Sequence, residues 1–289
     1  MKIIKRAYKF RFYPQNDLKV ILAKTFGCSR FVFNKALELS ENNYATKYTD
    51  KDKQILNPNY KTLSNTDRIN YIVTLKQSNP WLKEVSSIAL QQSVKNLNTA
   101  YDRFFKGKSG KPQFKKKLNR NSFTITGKGS LHFDKDFTKN KQFYLPKYNK
   151  PLNIKFSREF NHLAVSSVTI SQEPSGKYFI SFLVEEELNT TKPINHKVSI
   201  DLGIKTHAKV YNGVEFTDFN LPELIKQVDR KITKAQRILS RRVKGSHNRN
   251  KQRIIVARLH EKKSNIINDF YHKLSSRLIN ENQEIIIED

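Results

Sequence analysis

Alternating apolar and polar positions predict a β-strand at the start of the chain. Over residues 4–13, the aromatic residues Tyr8, Phe10 and Phe12 alternate with basic residues. Successive side chains of a strand point to opposite faces, so the pattern predicts one apolar face and one basic face. Pro14 follows directly and ends the predicted strand.

A helical region is predicted over residues 15–106. From Asp17 onward the apolar residues fall three or four positions apart, which is the spacing of one helix face. Gly27 interrupts this series, so we predict two helices joined by a turn at residues 27–29, a start that resembles a helix-turn-helix.

The pattern changes after residue 41. Residues 42–65 are polar and lose the helical period, which predicts a loop. Apolar residues then recur at helical spacing from Leu90 to Phe105 and predict a long amphipathic helix that ends near Gly107 and Gly110.

Short strands are predicted over residues 107–195, with a turn at residues 173–176. We expect a small β-barrel or sandwich that the first strand (residues 1–14) joins, so that residues 15–106 are an insertion. Residues 196–289 show a buried strand, a hairpin at Asn212, two basic helical stretches and a final apolar strand. This order is typical of a ribonuclease H-like α/β core.

Charge narrows the class of partner. The chain of 289 residues carries 54 Lys and Arg against 26 Asp and Glu, a net charge of +28, which favours nucleic acid. A ribosome-associated protein or a membrane-surface binder would share this charge. No apolar run is long enough to cross a bilayer, so we expect a cytoplasmic, nucleoid-associated protein. A single cysteine excludes disulfides and a cysteine zinc site within these residues.

Two acidic residues stand at the ends of predicted strands. Asp201 follows the strand "KVSI" and Glu288 follows "EIII". If the two strands are parallel neighbours, both carboxylates meet at one sheet edge and could hold Mg²⁺ for phosphodiester hydrolysis. On spacing alone, an acid that ends a strand by chance is the commoner explanation.

Basic residues form two further candidate sites. Residues 226–263 hold fourteen Lys or Arg and two acids, an imbalance that favours phosphate contacts over a solvated helix face. The segment 107–117 mixes glycine, lysine and Phe114 and could clamp a nucleic-acid backbone, or be a soluble loop. The candidate phosphate contacts are Lys108, Lys111, Lys115, Lys116, Arg237, Arg241, Arg242, Lys244, Arg249, Lys251 and Arg253.

In order along the chain, several segments resemble the TnpB family of insertion-sequence-encoded, RNA-guided DNA endonucleases, which are related to type V CRISPR effectors. They are "YKFRFYPQND", "FGCSRFVFNKAL", "WLKEVSSIALQQSVKNLNTAYDRFF", "KPQFKKK", "SIDLGIKTHAKVYNG", "QRILSRRVKGSHNRNKQR" and "IIIED". The last three stand where the family has its first RuvC motif, the basic segment after it and its second RuvC motif. The resemblance spans nearly the whole chain.

The resemblance implies an α+β multidomain protein. Its parts are an OB-like wedge β-barrel with an inserted helical recognition domain, followed by a ribonuclease H-like (RuvC) domain. It also implies a guide RNA that supplies sequence specificity on double-stranded DNA, while the protein reads a short target-adjacent motif. Tyr60, Ser87 and Gln91 match the motif-reading positions.

The resemblance further implies catalytic, Mg²⁺-binding roles for Asp201 and Glu288. In the family a third carboxylate and a four-cysteine zinc ribbon follow beyond the position of residue 289. We therefore expect impaired cleavage and no zinc in a truncated RuvC domain.

Other readings of the sequence stay open. One is a guide-independent helix-turn-helix transposase accessory protein, whose recognition helix would carry Phe31, Phe33 and Leu37. A decayed transposon fragment and a structural RNA-binding protein of ribosomal type are the others. The buried character expected of the three apolar residues disfavours the helix-turn-helix reading.

Overall fold

The chain folds into two compact units, residues 1–188 and 189–289, in a computed structural model. The structure describes residues 3–50, 54–117, 121–127, 132–133, 143–158, 164–187, 196–203 and 206–287. It contains both helix and sheet, which confirms the α+β class.

The first unit combines long helices with antiparallel strands. Its helices are α1 (Asn16–Ala45), α2 (Asn65–Ser78) and α3 (Ser87–Phe105), with a short 3₁₀ turn at Pro80–Glu84. Its strands are β1 (Ile3–Phe12), β2 (Tyr48–Asp50), β3 (Ile55–Leu56), β4 (Asn121–Thr126), β5 (His132–Phe133), β6 (Phe143–Tyr144), β7 (Ile154–Lys155), β8 (Ala164–Gln172) and β9 (Tyr178–Glu187).

A five-stranded antiparallel sheet, in the order β4-β8-β9-β1-β7, organises this unit. The alternation predicted for β1 is confirmed, because Tyr8, Phe10 and Phe12 are buried in the core while the residues between them are exposed. The predicted turn between β8 and β9 is also confirmed, with Gly176 at a φ of 86°.

Helix α1 is continuous, so the predicted turn near Gly27 is wrong. Leu18 and Leu22 pack into the core of the sheet, whereas Val32 and Leu37 pack into a second core with α2 and α3. A glycine within a helix costs about 1 kcal/mol relative to alanine. Each buried leucine contributes roughly 1.5–3 kcal/mol, so packing on both sides of Gly27 offsets that cost.

The predicted loop over residues 42–65 contains regular structure as well. Strands β2 and β3 pair as a short antiparallel hairpin before α2 begins. The amphipathic helix predicted from Leu90 is confirmed as α3, and the Ser93 hydroxyl ties it to α1 by donating to the Ser29 carbonyl at 2.6 Å.

The second unit has the predicted order of strand, hairpin, helices and strand. Its elements are β10 (Lys197–Asp201), β11 (Ala208–Tyr211), β12 (Phe216–Phe219), α4 (Leu224–Arg241), α5 (His247–Glu281) and β13 (Glu284–Ile287). The sheet order is β12-β11-β10-β13, in which β10 and β13 are parallel and the other pairs antiparallel. Val198, Ile200, Ala208 and Val210 form its core with Leu274 of α5.

Within the described ranges, no helix is apolar and long enough to pass through a lipid bilayer.

Candidate nucleic-acid and metal sites

The ends of β10 and β13 lie at one edge of the second sheet. The register pairs Lys197 with Glu284 and Ile200 with Ile287, so both strands run toward the same edge. Asp201 is the last residue of β10, and its side chain is exposed. Glu288 follows Ile287 in the chain and lies outside the described residues.

The chain turns closely after Asp201. A Cβ atom added to Gly203 would lie 2.8 Å from the carbonyl oxygen of Thr206, closer than side chains tolerate. Glycine at position 203 therefore permits the close approach of its backbone to that of Thr206.

Asp201 is an oxygen donor of the kind that Mg²⁺ prefers. No described residue forms an ion pair with the Asp201 carboxylate. The same residues contain no group of three or more His, Cys, Asp or Glu that could hold a metal ion. A Mg²⁺ site here needs further ligands beside Asp201.

Ser87 and Gln91 lie on one exposed face of α3. They are four residues apart, which places them one helical turn from each other. The hydroxyl of Ser87 accepts a hydrogen bond from Lys76 Nζ at 2.6 Å. Tyr60 lies between β3 and α2 and is half-buried. Their role in reading a DNA motif stays a prediction.

The segment 107–117 is fastened to α1. Asn34 Nδ2 donates to the carbonyl of Lys115 at 3.1 Å, and the Lys115 amide donates back to Asn34 Oδ1 at 2.8 Å. Lys111 forms an ion pair with Glu41 at 2.8 Å. Much of Lys115 is exposed, yet its ammonium lies 3.9 Å from the Phe33 ring centroid, and desolvation lowers the pKa of Lys115. Lys108 and Lys116 are exposed and are left for other partners.

Most of the predicted basic residues of α4, α5 and the connection between them are available to bind a polyanion. The exposed residues that pair with no other described side chain are Arg237, Arg241, Lys244, Lys251 and Arg253. Lys244 lies in the short connection at residues 242–246 between α4 and α5, and the other four lie on the two helices on either side of it. Unpaired cations grouped in this way suit contacts with phosphates.

Arg249 and Arg242 instead hold the connection together. Arg249 Nη1 donates to the carbonyls of Leu239 at 2.8 Å and Arg242 at 3.0 Å. Arg242 Nη1 donates to the carbonyl of Asn248 at 2.9 Å. Arg249, in the first turn of α5, thereby binds a carbonyl of the last turn of α4, and Arg242, just after α4, binds a carbonyl of the first turn of α5. In the sequence, Arg242 and Arg249 look like any other basic residues of this stretch. Their role in holding the connection could therefore not be predicted from it.

Comparison with known proteins identifies relatives over the whole chain. A family model described as "Probable transposase" (OrfB IS605) matches residues 179–289. A second, described as "Helix-turn-helix domain", matches residues 1–48, where the structure has β1, the uninterrupted α1 and the start of β2.

Two curated relatives resemble the chain closely. A Streptomyces pristinaespiralis protein named "Putative RNA-guided DNA endonuclease" is 35% identical over 300 residues, which covers 100% of this chain and 68% of the relative. The Escherichia coli (strain K12) protein named "Putative RNA-guided DNA endonuclease InsQ" is 30% identical, covering 98% of this chain and 66% of its own length. The chain thus spans about two thirds of the length of these relatives.

A solved structure supports the fold alone. Cas12f1, determined in a complex with sgRNA and target DNA, is 12% identical and superposes with a TM-score of 0.51 over 99% of this chain and 81% of its own. The curated relatives and the two family models that match the ends of the sequence show that this chain belongs to the OrfB/IS605 family, the TnpB-type proteins named as RNA-guided DNA endonucleases.

Proposed function

We propose that this chain binds a guide RNA, uses it to recognise double-stranded DNA, and contributes carboxylates to a Mg²⁺-dependent cleavage site. The observation that carries the proposal is the parallel pairing of β10 with β13, because both strands run toward the same sheet edge, where β10 ends at Asp201 and β13 ends at Ile287, the residue before Glu288 in the chain. The net charge of +28 suits two nucleic-acid partners.

The proposed domains follow from the topology. The sheet of the first unit corresponds to an OB-like wedge barrel, and α1 to α3 correspond to a recognition domain inserted between β1 and β4. In the second unit, three antiparallel strands precede a fourth that lies parallel to the first of them. This arrangement supports a ribonuclease H-like RuvC domain.

Asp201 and Glu288 are the proposed metal ligands. In the chain, Asp201 directly follows Ile200 and Glu288 directly follows Ile287, which form the last pair of the β10–β13 register. The exposed Asp201 leaves its oxygens available to a cation. Mg²⁺ bound there would polarise the scissile phosphodiester and activate water. The contribution of this chain is to hold the cation at the ends of two strands that a buried core keeps rigid.

Nucleic-acid contacts are proposed for both units. Lys108 and Lys116 in the first unit and the five free cations of α4 and α5 would neutralise phosphates. Ser87, Gln91 and Tyr60 would read the short DNA motif, since glutamine can make two hydrogen bonds to the adenine edge in the major groove.

Guide-independent recognition by α1 is a weaker alternative. Phe33 and Leu37, which would have to face DNA bases, are 5% and 0% exposed and belong to the helical core. Base-reading side chains must be accessible in the groove.

The proposal is tested by expressing the chain with its native flanking DNA, purifying it and sequencing the RNA that co-purifies. We expect one discrete RNA, and a complex that binds DNA matching part of it. Incubation of this complex with matching DNA, with Mg²⁺ or with EDTA, measures cleavage separately. A heterogeneous mixture of cellular RNA would contradict the proposal.

A further inference from the structure

A groove of about 580 Å³ lies beside the middle of α1, away from the residues assigned above. Its walls come from α1 and from the 3₁₀ turn at Pro80–Glu84, and they include Lys24, Arg30, Phe31 and Trp81. Such a concave surface with a few polar groups among aromatic side chains is typical of a binding site.

Two aromatic rings form one wall of the groove. Phe31 and Trp81 meet edge to face, with ring centroids 4.9 Å apart and an interplanar angle of 64°. Trp81 is nevertheless 42% exposed, because the contact leaves much of the indole uncovered. A large exposed aromatic surface in a basic groove is suited to stacking with a planar ring.

The polar groups of the groove suit an anionic chain. Lys24 and Glu84 pair at 2.6 Å, and Arg30 Nη1 donates to Asn121 Oδ1 at 3.3 Å, which leaves other guanidinium donors available. Asn34, also in the wall, holds the backbone of Lys115. Lys115, which that bond anchors at the groove wall, is followed in the chain by Lys116 and Lys117, both exposed.

The remaining wall adds no charge. Cys28 lines the groove, and burial raises the pKa of its thiol to about 11, so it is neutral at physiological pH. Gly27 also lines the groove, and a Cβ atom added there would meet no atom within 4 Å.

We infer that this groove receives one unpaired base of the guide RNA, stacked on Trp81, while the adjoining phosphates lie along Lys116 and Lys117. This inference rests on the proposed function. RNA is the favoured occupant because single-stranded RNA presents unstacked bases to aromatic side chains. A DNA duplex would first have to expel a base, at a cost of a few kcal/mol.

Fluorescence tests the inference directly, because Trp81 is the only tryptophan in the chain. Stacking of a nucleobase on indole quenches its emission. The chain is titrated with a 12-nucleotide single-stranded RNA, with the same RNA as a duplex, and with single-stranded DNA of the same sequence. We expect the single-stranded RNA to quench the emission in a saturable way. The concentration of RNA that gives half of this quenching should be no higher than that of the single-stranded DNA. The duplex should cause little quenching.

Variants test the energetic contribution of the ring. Trp81→Ala is expected to weaken RNA affinity about tenfold, and Trp81→Phe to restore most of it, since stacking of a base on an aromatic residue contributes about 1–3 kcal/mol. Tyr13→Ala is the matched control, because Tyr13 is 43% exposed, directly follows β1 and does not line the groove. Its RNA affinity should match the unaltered chain.

The outcomes separate this inference from the proposed function. RNA binding with unchanged Trp81 emission, or quenching by the DNA alone, would overturn the base-stacking site while guided recognition stands. Equal quenching by duplex and single-stranded RNA would overturn it as well. Failure of the chain to retain any RNA would reject both.

Discussion

Single residues decide the chemistry of the second unit. The position of Asp201 could be predicted from the sequence, because a carboxylate directly after a buried strand lies at a sheet edge wherever that strand ends. The role of Arg249 could not, because its acceptors are carbonyls of a turn between two helices. Local patterns identify a side chain, whereas its partners depend on how distant segments meet.

Asp201→Ala should separate cleavage from RNA binding. The side chain is exposed, so its loss leaves the core around Ile200 intact and the guide-RNA affinity unchanged. Mg²⁺-dependent cleavage should fall by more than the roughly 10–100-fold loss seen when a metal ligand's hydrogen-bonding partner is removed. Asp218→Ala, an exposed acid on β12, is the control and should leave both activities unchanged. A large loss of RNA affinity in the Asp201 variant, with the fold intact, would contradict the assignment.

Gly203→Ala should destabilise the second unit. The added Cβ would meet the backbone carbonyl of Thr206 at 2.8 Å, and backbone cannot move aside as a flexible side chain does. We expect a loss of about 1–3 kcal/mol in the free energy of unfolding, measured by urea denaturation. Unchanged stability would mean that these two segments are farther apart in solution.

At the scale of elements, the local signals predicted structure well wherever they were strong. Alternation identified β1, helical spacing identified α3, and the Asn212 turn identified the β11–β12 hairpin. The turn predicted at Gly27 was wrong, because the parts of α1 before and after this glycine each pack into a hydrophobic core and keep the helix continuous. The distribution of residues between two cores is a tertiary property that no local window contains.

Gly27→Ala tests whether α1 is continuous. The glycine does not have a positive φ, and an added Cβ would meet no atom within 4 Å. In a continuous helix this substitution should raise the free energy of unfolding by about 1 kcal/mol. Thermal and urea denaturation would measure the change. Destabilisation would instead indicate the turn of a helix-turn-helix at this position.

Arg249 and Lys251 should respond differently to truncation, although they are neighbours in a basic stretch. Arg249→Ala removes two hydrogen bonds to backbone carbonyls and should cost about 1–3 kcal/mol of stability. Lys251→Ala should leave stability within about 0.5 kcal/mol. It should, however, lower the slope of log affinity against log salt by about 1 if Lys251 contacts a phosphate. Equal effects of the two variants on stability would contradict the assignment of Arg249 to the α4–α5 connection and of Lys251 to phosphate contacts.

At the scale of the whole molecule, the chain combines a net charge of +28 with a sheet edge at which β10 ends in Asp201. The sequence predicted the class of partner from charge and the family from the order of its motifs, and relatives over the full chain confirm the family. Each of the two units buries its own set of apolar side chains, and the second unit carries both the Asp201 sheet edge and the basic residues of α4 and α5. Guidance by RNA is the property that distinguishes this account from a basic protein that binds nucleic acid at random.

Replacement of the guide segment in the co-purifying RNA tests that property most directly. The complex is assembled with the native guide or with a guide of unrelated sequence, and its affinity for the two matching DNA duplexes is measured at the same salt concentration. We predict that DNA preference follows the guide, with each complex binding its own target at least tenfold more tightly than the other. Affinities that depend on salt but not on the guide sequence would contradict the account.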